Sequence, residues 1–147
     1  MAVRASREVV FDAPPEAIMN VLADVDALPT WSSVHRHVEI VDRYPDGKPH
    51  HVRATMRLLG ITDKEMLEYH WGDTWMVWDA EENLQQRGQH VEYNLTPEID
   101  QTRVRFDITV DVSVPLPEFI VRRAKKLVLY VALDRLRQRV MGLAQPA

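Results

Sequence analysis

Residues 117–145, PEFIVRRAKKLVLYVALDRLRQRVMGLAQ, decide how the rest of the chain must be arranged. Pro117 suits a first helical position, Glu118 lies where the helix dipole favours a negative charge, and neither Gly nor Pro interrupts the run before Gly142. The spacing predicts one long helix, and its apolar residues fall on two stripes. Ile120, Ala124, Leu127 and Val131 form the first; Leu129, Leu133, Leu136, Val140 and Leu143 form the second at nearly the opposite azimuth. A helix with two faces to bury must be gripped by something large and curved, or must share one face with a ligand or a partner.

The chain ahead of it supplies the grip. Residues 3–11 alternate, with Val3, Ala5, Val9 and Phe11 against Arg4, Ser6 and Glu8, as a half-buried strand does. Asp12-Ala13-Pro14-Pro15 punctuates, and 16–26 carries Ile18, Val21, Leu22 and Val25 at helical spacing, with a second short helical turn expected before Trp31. From Val38 the period becomes two. A strand over 38–44 meets a Pro45-Asp46-Gly47 turn and a second strand with Val52, Ala54, Met56 and Leu58 inward. Turns at 60–63 and Gly72-Asp73 bracket the Leu67, Tyr69, Trp71 strand; the next carries Met76, Trp78 and Ala80, its facing ambiguous because Trp75 and Val77 are also apolar. The polar 81–88 reads as a loop or a bulged continuation, after which Val91, Tyr93 and Leu95 resume alternation. A turn at 97–101 leads to the clearest strand, Val104, Phe106, Ile108, Val110 and Val112 against charged and polar neighbours. One strand, two short helices, six strands and a long helix make an α+β chain. A strongly twisted, seven-stranded antiparallel sheet curls, and the helix lies in its concave face.

At 147 residues the chain makes one domain, 1–147, with room for a core and a cavity inside it. A net charge of −4 and a pI near 5.8 carry no footprint for nucleic acid. The absence of cysteine removes disulfides, thiolate metal sites and cysteine nucleophiles. Residues 1–12 lack a signal-peptide core and no run approaches the ~20 apolar residues of a membrane span, so a cytoplasmic location is expected. No nucleophile elbow, phosphate-binding glycine loop, HExxH or dinucleotide fingerprint occurs, and no cofactor is implied.

Ala13-Pro14-Pro15-Glu16-Ala17 leads into the first helix, followed by Leu22-Ala23-Asp24-Val25 and Leu28-Pro29-Thr30-Trp31. Tyr93-Asn94-Leu95-Thr96-Pro97, Thr102-Arg103-Val104 and Val114-Pro115-Leu116-Pro117 follow in the second half. In the order and spacing of these segments, essentially the whole chain resembles the helix-grip proteins related to START domains, in particular the bacterial polyketide cyclase/dehydrase-like branch. The resemblance implies a helix-grip fold and an apolar cavity between sheet and helix that holds lipids, sterols, quinones, polyketides or other hydrophobic molecules. Some members are cyclases; others are carriers or have no assigned chemistry.

The strand parities then supply an expected cavity wall of Met56, Leu58, Leu67, Tyr69, Trp71, Trp78, Tyr93, Phe106 and Ile108, faced by Ile120, Ala124, Leu127, Val128 and Val131 from the helix. Such a wall is apolar with a few polar tips, as small-molecule sites are; a packed core without a cavity is the alternative. Glu65 shares parity with Leu67 and Tyr69 and is the inward carboxylate for an acid/base mechanism with Tyr69 or Tyr93, although a Glu at a strand start more often sits at the rim. His35 and His37, spaced to share a strand face, and His50-His51 beside a Pro-Gly turn show no zinc spacing; they read as surface residues, and no metal is expected. His70 and His90 fall on outward parities. Trp31 reads as an anchor for the short helices, with capping one end of the cavity as the alternative. The cluster Arg122, Arg123, Lys125 and Lys126 reads as a solvated face balanced by Asp111 and Glu118, with transient contact to a membrane surface or lipid head group as the alternative.

The leading reading is therefore non-catalytic binding or transport of a hydrophobic small molecule. The alternatives are an aromatase/cyclase or dehydratase working through Glu65, Tyr69 and Tyr93, and an interaction module whose second apolar helix face forms a homodimer.

Overall fold

The computed structural model describes residues 1–80, 86–113 and 115–144. Most of the polar 81–88 segment, Val114 ahead of the final helix and Gln145 at its expected end lie outside the described residues. The elements run β1 (Ala2–Phe11), α1 (Pro15–Ala23), a 3-10 turn (Val25–Ala27), α2 (Leu28–Trp31), β2 (His35–Arg43), β3 (Pro49–Leu58), β4 (Ile61–Trp71), β5 (Trp75–Ala80), β6 (Gln86–Glu98) and β7 (Gln101–Val112). The final helix follows as three consecutive stretches: α3 (Glu118–Leu129), a π-helical turn (Tyr130–Arg135) and α4 (Leu136–Ala144).

All seven strands form one antiparallel sheet in the order β1-β7-β6-β5-β4-β3-β2. Strands β2 to β7 are a meander, and β1 pairs with β7 from Ala2↔Asp111 to Phe11↔Thr102. Strands β1 and β2, neighbours in sequence, are therefore opposite edges of the sheet, and α1 and α2 carry the chain between them. Thr102, fully buried, donates its hydroxyl to the Ala13 carbonyl at 2.7 Å and fastens the end of β1 where that crossing begins.

Strand alternation places Val52, Ala54 and Met56, Leu67 and Tyr69, Met76, Trp78 and Ala80, Val91, Tyr93 and Leu95, and Val104 and Phe106 on the buried face. The ambiguity of β5 resolves toward Met76, Trp78 and Ala80, leaving Trp75 exposed. Two turns are shorter than expected, and Ile99 and Asp100 alone join β6 to β7. Leu59 and Gly60 alone join β3 to β4, both at positive φ (51° and 82°), the hairpin geometry whose twist matches that of the flanking strands. Leucine is strained there, because its Cβ crowds the backbone in the left-handed region.

The final helix is continuous but held unevenly. No residue of α3 is fully buried, and Pro117 caps it rather than opening it. Beyond Leu129, by contrast, Val131, Ala132, Leu133, Leu136 and Val140 are buried. Three polar ties also lie in this second half. Tyr93 donates to the Ala132 carbonyl at 2.8 Å, inside the π turn, where the extra residue disturbs the ordinary helical ladder. Arg7 of β1 grips Asp134 in a two-pronged pair (3.0 and 3.2 Å), and Arg135 Nε donates to the Trp31 carbonyl at 3.1 Å.

Candidate functional site

Between the middle of the sheet and the π turn lies a cavity of about 60 Å³. Of the wall expected from sequence, Met56, Tyr69, Trp78, Tyr93, Phe106, Ile108, Val128 and Val131 line it. Leu58, Leu67, Trp71, Ile120, Ala124 and Leu127 do not. Strand parity assigns a face but not a depth along it. Leu67 is fully buried in the core, Leu58 ends β3 beside the hairpin turn, and Trp71 at the far end of β4 donates its indole N–H to the Pro49 carbonyl at 2.8 Å. Ile120, Ala124 and Leu127 belong to the half of the helix that is only partly covered. Two roomier hollows, one beside α1 and α4 (about 370 Å³) and one beside Tyr44 and Trp75 (about 470 Å³), are open surface grooves.

The remaining cavity wall comes from residues outside the expected wall: Leu22 of α1, Leu28 and Trp31 of α2, Ser32, Val34 and His35 at the start of β2, with Met76, Gln89 and Ala132. Trp31 thus lines the cavity as well as being buried in α2. His35 departs furthest from expectation. A register shift between His35 and His37 separates the two, turning His35 inward, where it is 7% exposed, and leaving His37 outside. Burial pushes the His35 imidazole down to a pKa of about 4, so it is neutral at ordinary pH. Its Nδ1 meets the Ser32 hydroxyl at 2.7 Å, and its ring stands edge-on to Trp78 with centroids 5.8 Å apart.

Three side-chain atoms on this wall are buried without a hydrogen-bond partner: Trp31 Nε1, His35 Nε2 and the Tyr69 hydroxyl. Each such group costs about 1–3 kcal/mol when left unpaired, and their concentration in one cavity asks for an occupant. Trp31 Nε1 can only donate and the Tyr69 hydroxyl can do either, so a ligand oxygen with lone pairs satisfies them best. Burial pushes the Tyr69 and Tyr93 phenols up, keeping both protonated. The Tyr93 hydroxyl is already engaged with Ala132.

Glu65 is not at the rim as expected but buried, at 5% exposure. Burial, reinforced by neighbouring Asp63, pushes its carboxyl up to about 8. It does not line the cavity. The expected grouping of Glu65, Tyr69 and Tyr93 therefore does not assemble: only Tyr69 offers a free polar atom to the cavity. The basic residues Arg122, Arg123 and Lys126 are exposed on α3 as expected, but Asp111 is paired with the N-terminal amine at 3.2 Å rather than with them.

Residues 2–141 match the family described as "Polyketide cyclase / dehydrase and lipid transport". Comparison with the curated proteins finds no match. Among solved structures, a START superfamily protein from Mycobacterium smegmatis is similar with a TM-score of 0.82 and 24% identity, over 95% of this chain and 98% of that one. The Zhui aromatase/cyclase from Streptomyces sp. R1128 is similar with a TM-score of 0.81 and 13% identity, over 99% and 97% of the two chains. A Thermus thermophilus protein is similar with a TM-score of 0.78 and 22% identity, over 99% and 100%. Identities this low speak to the shared fold, which is the one the sequence patterns imply.

Proposed function

The chain belongs to the polyketide cyclase / dehydrase and lipid transport family, and from that premise we propose that it binds a hydrophobic small molecule bearing an oxygen function in the cavity beneath the π turn. Family membership supports hydrophobic-ligand binding or a cyclase-type role; the observation that carries the finer reading is the set of three unpaired polar atoms in an otherwise apolar wall. The ligand's oxygen accepts from Trp31 and Tyr69, and its apolar body meets Met56, Phe106, Ile108 and Val131.

A cavity of about 60 Å³ suits water-sized occupants, whereas drug-sized ligands fill roughly 300–1,000 Å³. Uptake of a lipid, sterol, quinone or polyketide-like molecule therefore requires the wall to move, and the part least tied down is α3, which swings outward while α4 stays docked. Native mass spectrometry and organic extraction of the purified protein, with thermal shifts against fatty acids, sterols and quinones, test this. A bound hydrophobic species or a saturable shift is expected, weakened by Tyr69→Phe. Neither appearing for any of these classes rejects the reading.

A cyclase- or dehydratase-type reaction is the second reading, favoured by one observation: the Tyr69 hydroxyl and the neutral His35 Nε2 open onto the same cavity. One can donate to a substrate carbonyl and the other accept a proton. On this reading Glu65→Gln leaves turnover unchanged and His35→Gln removes it.

A further inference from the structure

The outer face of β2, β3 and β4 gathers a second set of chemistry-bearing side chains, separate from the cavity. His51 on β3 pairs with Asp42 on β2 and with Glu68 on β4, so the three stand in a row across the sheet. Consecutive strand residues face opposite ways, and His50 by that rule belongs on the other side. A register shift between the Asp42/His51 and Arg43/Pro49 pairs makes His50 an extra residue, and a bulge of this kind brings two adjacent side chains to one face. The His50 and His51 ring centroids are accordingly 3.9 Å apart.

One carboxylate oxygen of Glu68 lies 3.3 Å from His50 Nε2 and 3.2 Å from His51 Nε2. A carboxylate only accepts, so each Nε2 directs its proton to Glu68 and each Nδ1 is turned toward Asp42. His51 Nδ1 is 2.9 and 3.0 Å from the two Asp42 oxygens, and His50 Nδ1 is 3.7 Å from the nearer one. Imidazole lone pairs held this close to a carboxylate repel it unless a cation lies between them. Protons answer this one ring at a time; a single metal ion shared by Asp42 and both rings answers it at once. The donor atoms of Asp42, His50 and His51 all lie within 4.8 Å of one another, a span an ion can close, since ligand atoms around tetrahedral zinc sit roughly 3.3 Å apart.

We infer that Asp42, His50 and His51 form a binding site for a divalent transition-metal ion, with Glu68 holding both imidazoles in the tautomer that presents Nδ1. Two imidazoles and a carboxylate suit Zn²⁺, Ni²⁺ or Cu²⁺ and disfavour Mg²⁺ and Ca²⁺, which take oxygen ligands. Glu68 plays the part of the outer carboxylate that orients ligating histidines, and His70 Nε2, 3.2 Å from its other oxygen, steadies it. The ion would cross-link β2 to β3 at the edge of the sheet.

Isothermal titration of the whole chain with ZnCl₂ or NiCl₂ is expected to reveal one saturable site that MgCl₂ does not fill, and excess Zn²⁺ to raise Tm. His51→Ala abolishes binding, and Glu68→Gln weakens it about 10- to 100-fold. His90→Ala, which removes the outward histidine held by Asp79 and Glu92 elsewhere on the sheet, leaves it unchanged. His51→Gln replaces His51→Ala if circular dichroism shows the alanine variant unfolded. Absence of saturable Zn²⁺ binding, its survival in the His50→Ala/His51→Ala double variant, or its loss in His90→Ala would overturn the site.

Discussion

The two halves of the final helix share one amphipathic pattern and one continuous backbone, yet the structure treats them differently. From Tyr130 onward, Leu133 and Leu136 are fully buried and Asp134 and Arg135 are tied to β1 and α2. Over Glu118–Leu129 the same spacing yields only partly covered side chains. Hydrophobic periodicity reports which residues can be buried together; how completely they are buried depends on how closely the sheet approaches. The difference makes the second half an anchor and leaves the first half the less tied-down part.

The largest expected effect comes from truncating the anchor. Leu136→Ala is expected to cost about 2–5 kcal/mol in urea unfolding, through lost burial and a residual cavity, against about 1 kcal/mol or less for Leu127→Ala. Equal losses would break the distinction. Hydrogen exchange sharpens it further: amides of α3 are expected to exchange well before those of α4.

Acidity separates the cavity beneath the anchor from the core beside it. His35, held down to about 4 by burial, binds its proton more readily in the unfolded chain. Its contribution is therefore complete above pH ~6.5 and lost as pH falls toward 4, about 3 kcal/mol in all. Glu65, held up to about 8, binds its proton more readily in the folded chain. Its contribution is complete below pH ~4.5 and lost as pH rises through 8, on the order of 5 kcal/mol. Stability measured from pH 6.5 to 8 is thus expected to fall, and Glu65→Gln to flatten that fall. A flat wild-type profile in this window would contradict the buried, protonated Glu65.

The two buried tyrosines provide a smaller contrast. Tyr93→Phe removes the tie to Ala132 and strands a buried carbonyl, at a cost of about 1–2 kcal/mol. Tyr69→Phe removes a hydroxyl that has no partner, so it is expected to leave stability unchanged or slightly raised while weakening ligand binding. A destabilised Tyr69→Phe protein would mean that the hydroxyl is satisfied within the fold. Smallest of all, Lys126→Ala on exposed α3 is expected to shift stability by less than about 0.5 kcal/mol.

Much of this architecture was legible beforehand. Period-two alternation from Val52 to Val104 identified the buried face of the sheet, and the unbroken run after Pro117 identified the helix, because both patterns are local consequences of backbone geometry. About half of the cavity wall could be read in the same way. His35 could not, because the register shift that turns it inward depends on how β2 pairs with β3. Parity places Leu67 and Trp71 on the right face but says nothing of their depth. Glu65 had the right parity, yet no rule of composition predicts a carboxyl kept inside beside that of Asp63.

What the sequence determined by itself is the order of elements, the curled sheet around a terminal helix and the family to which the chain belongs, since those rest on periodicities and segments that neighbouring residues impose. Tertiary structure alone decided which polar atoms are left unpaired around Tyr69, that the helix passes through a π turn at Tyr130–Arg135, and that Asp42, His50 and His51 meet. The first depends on segments far apart in the chain, and the last on a bulge within the β2–β3 hairpin. A one-residue bulge redirects a side chain to the opposite face of the sheet while leaving the sequence pattern that would have predicted it unchanged.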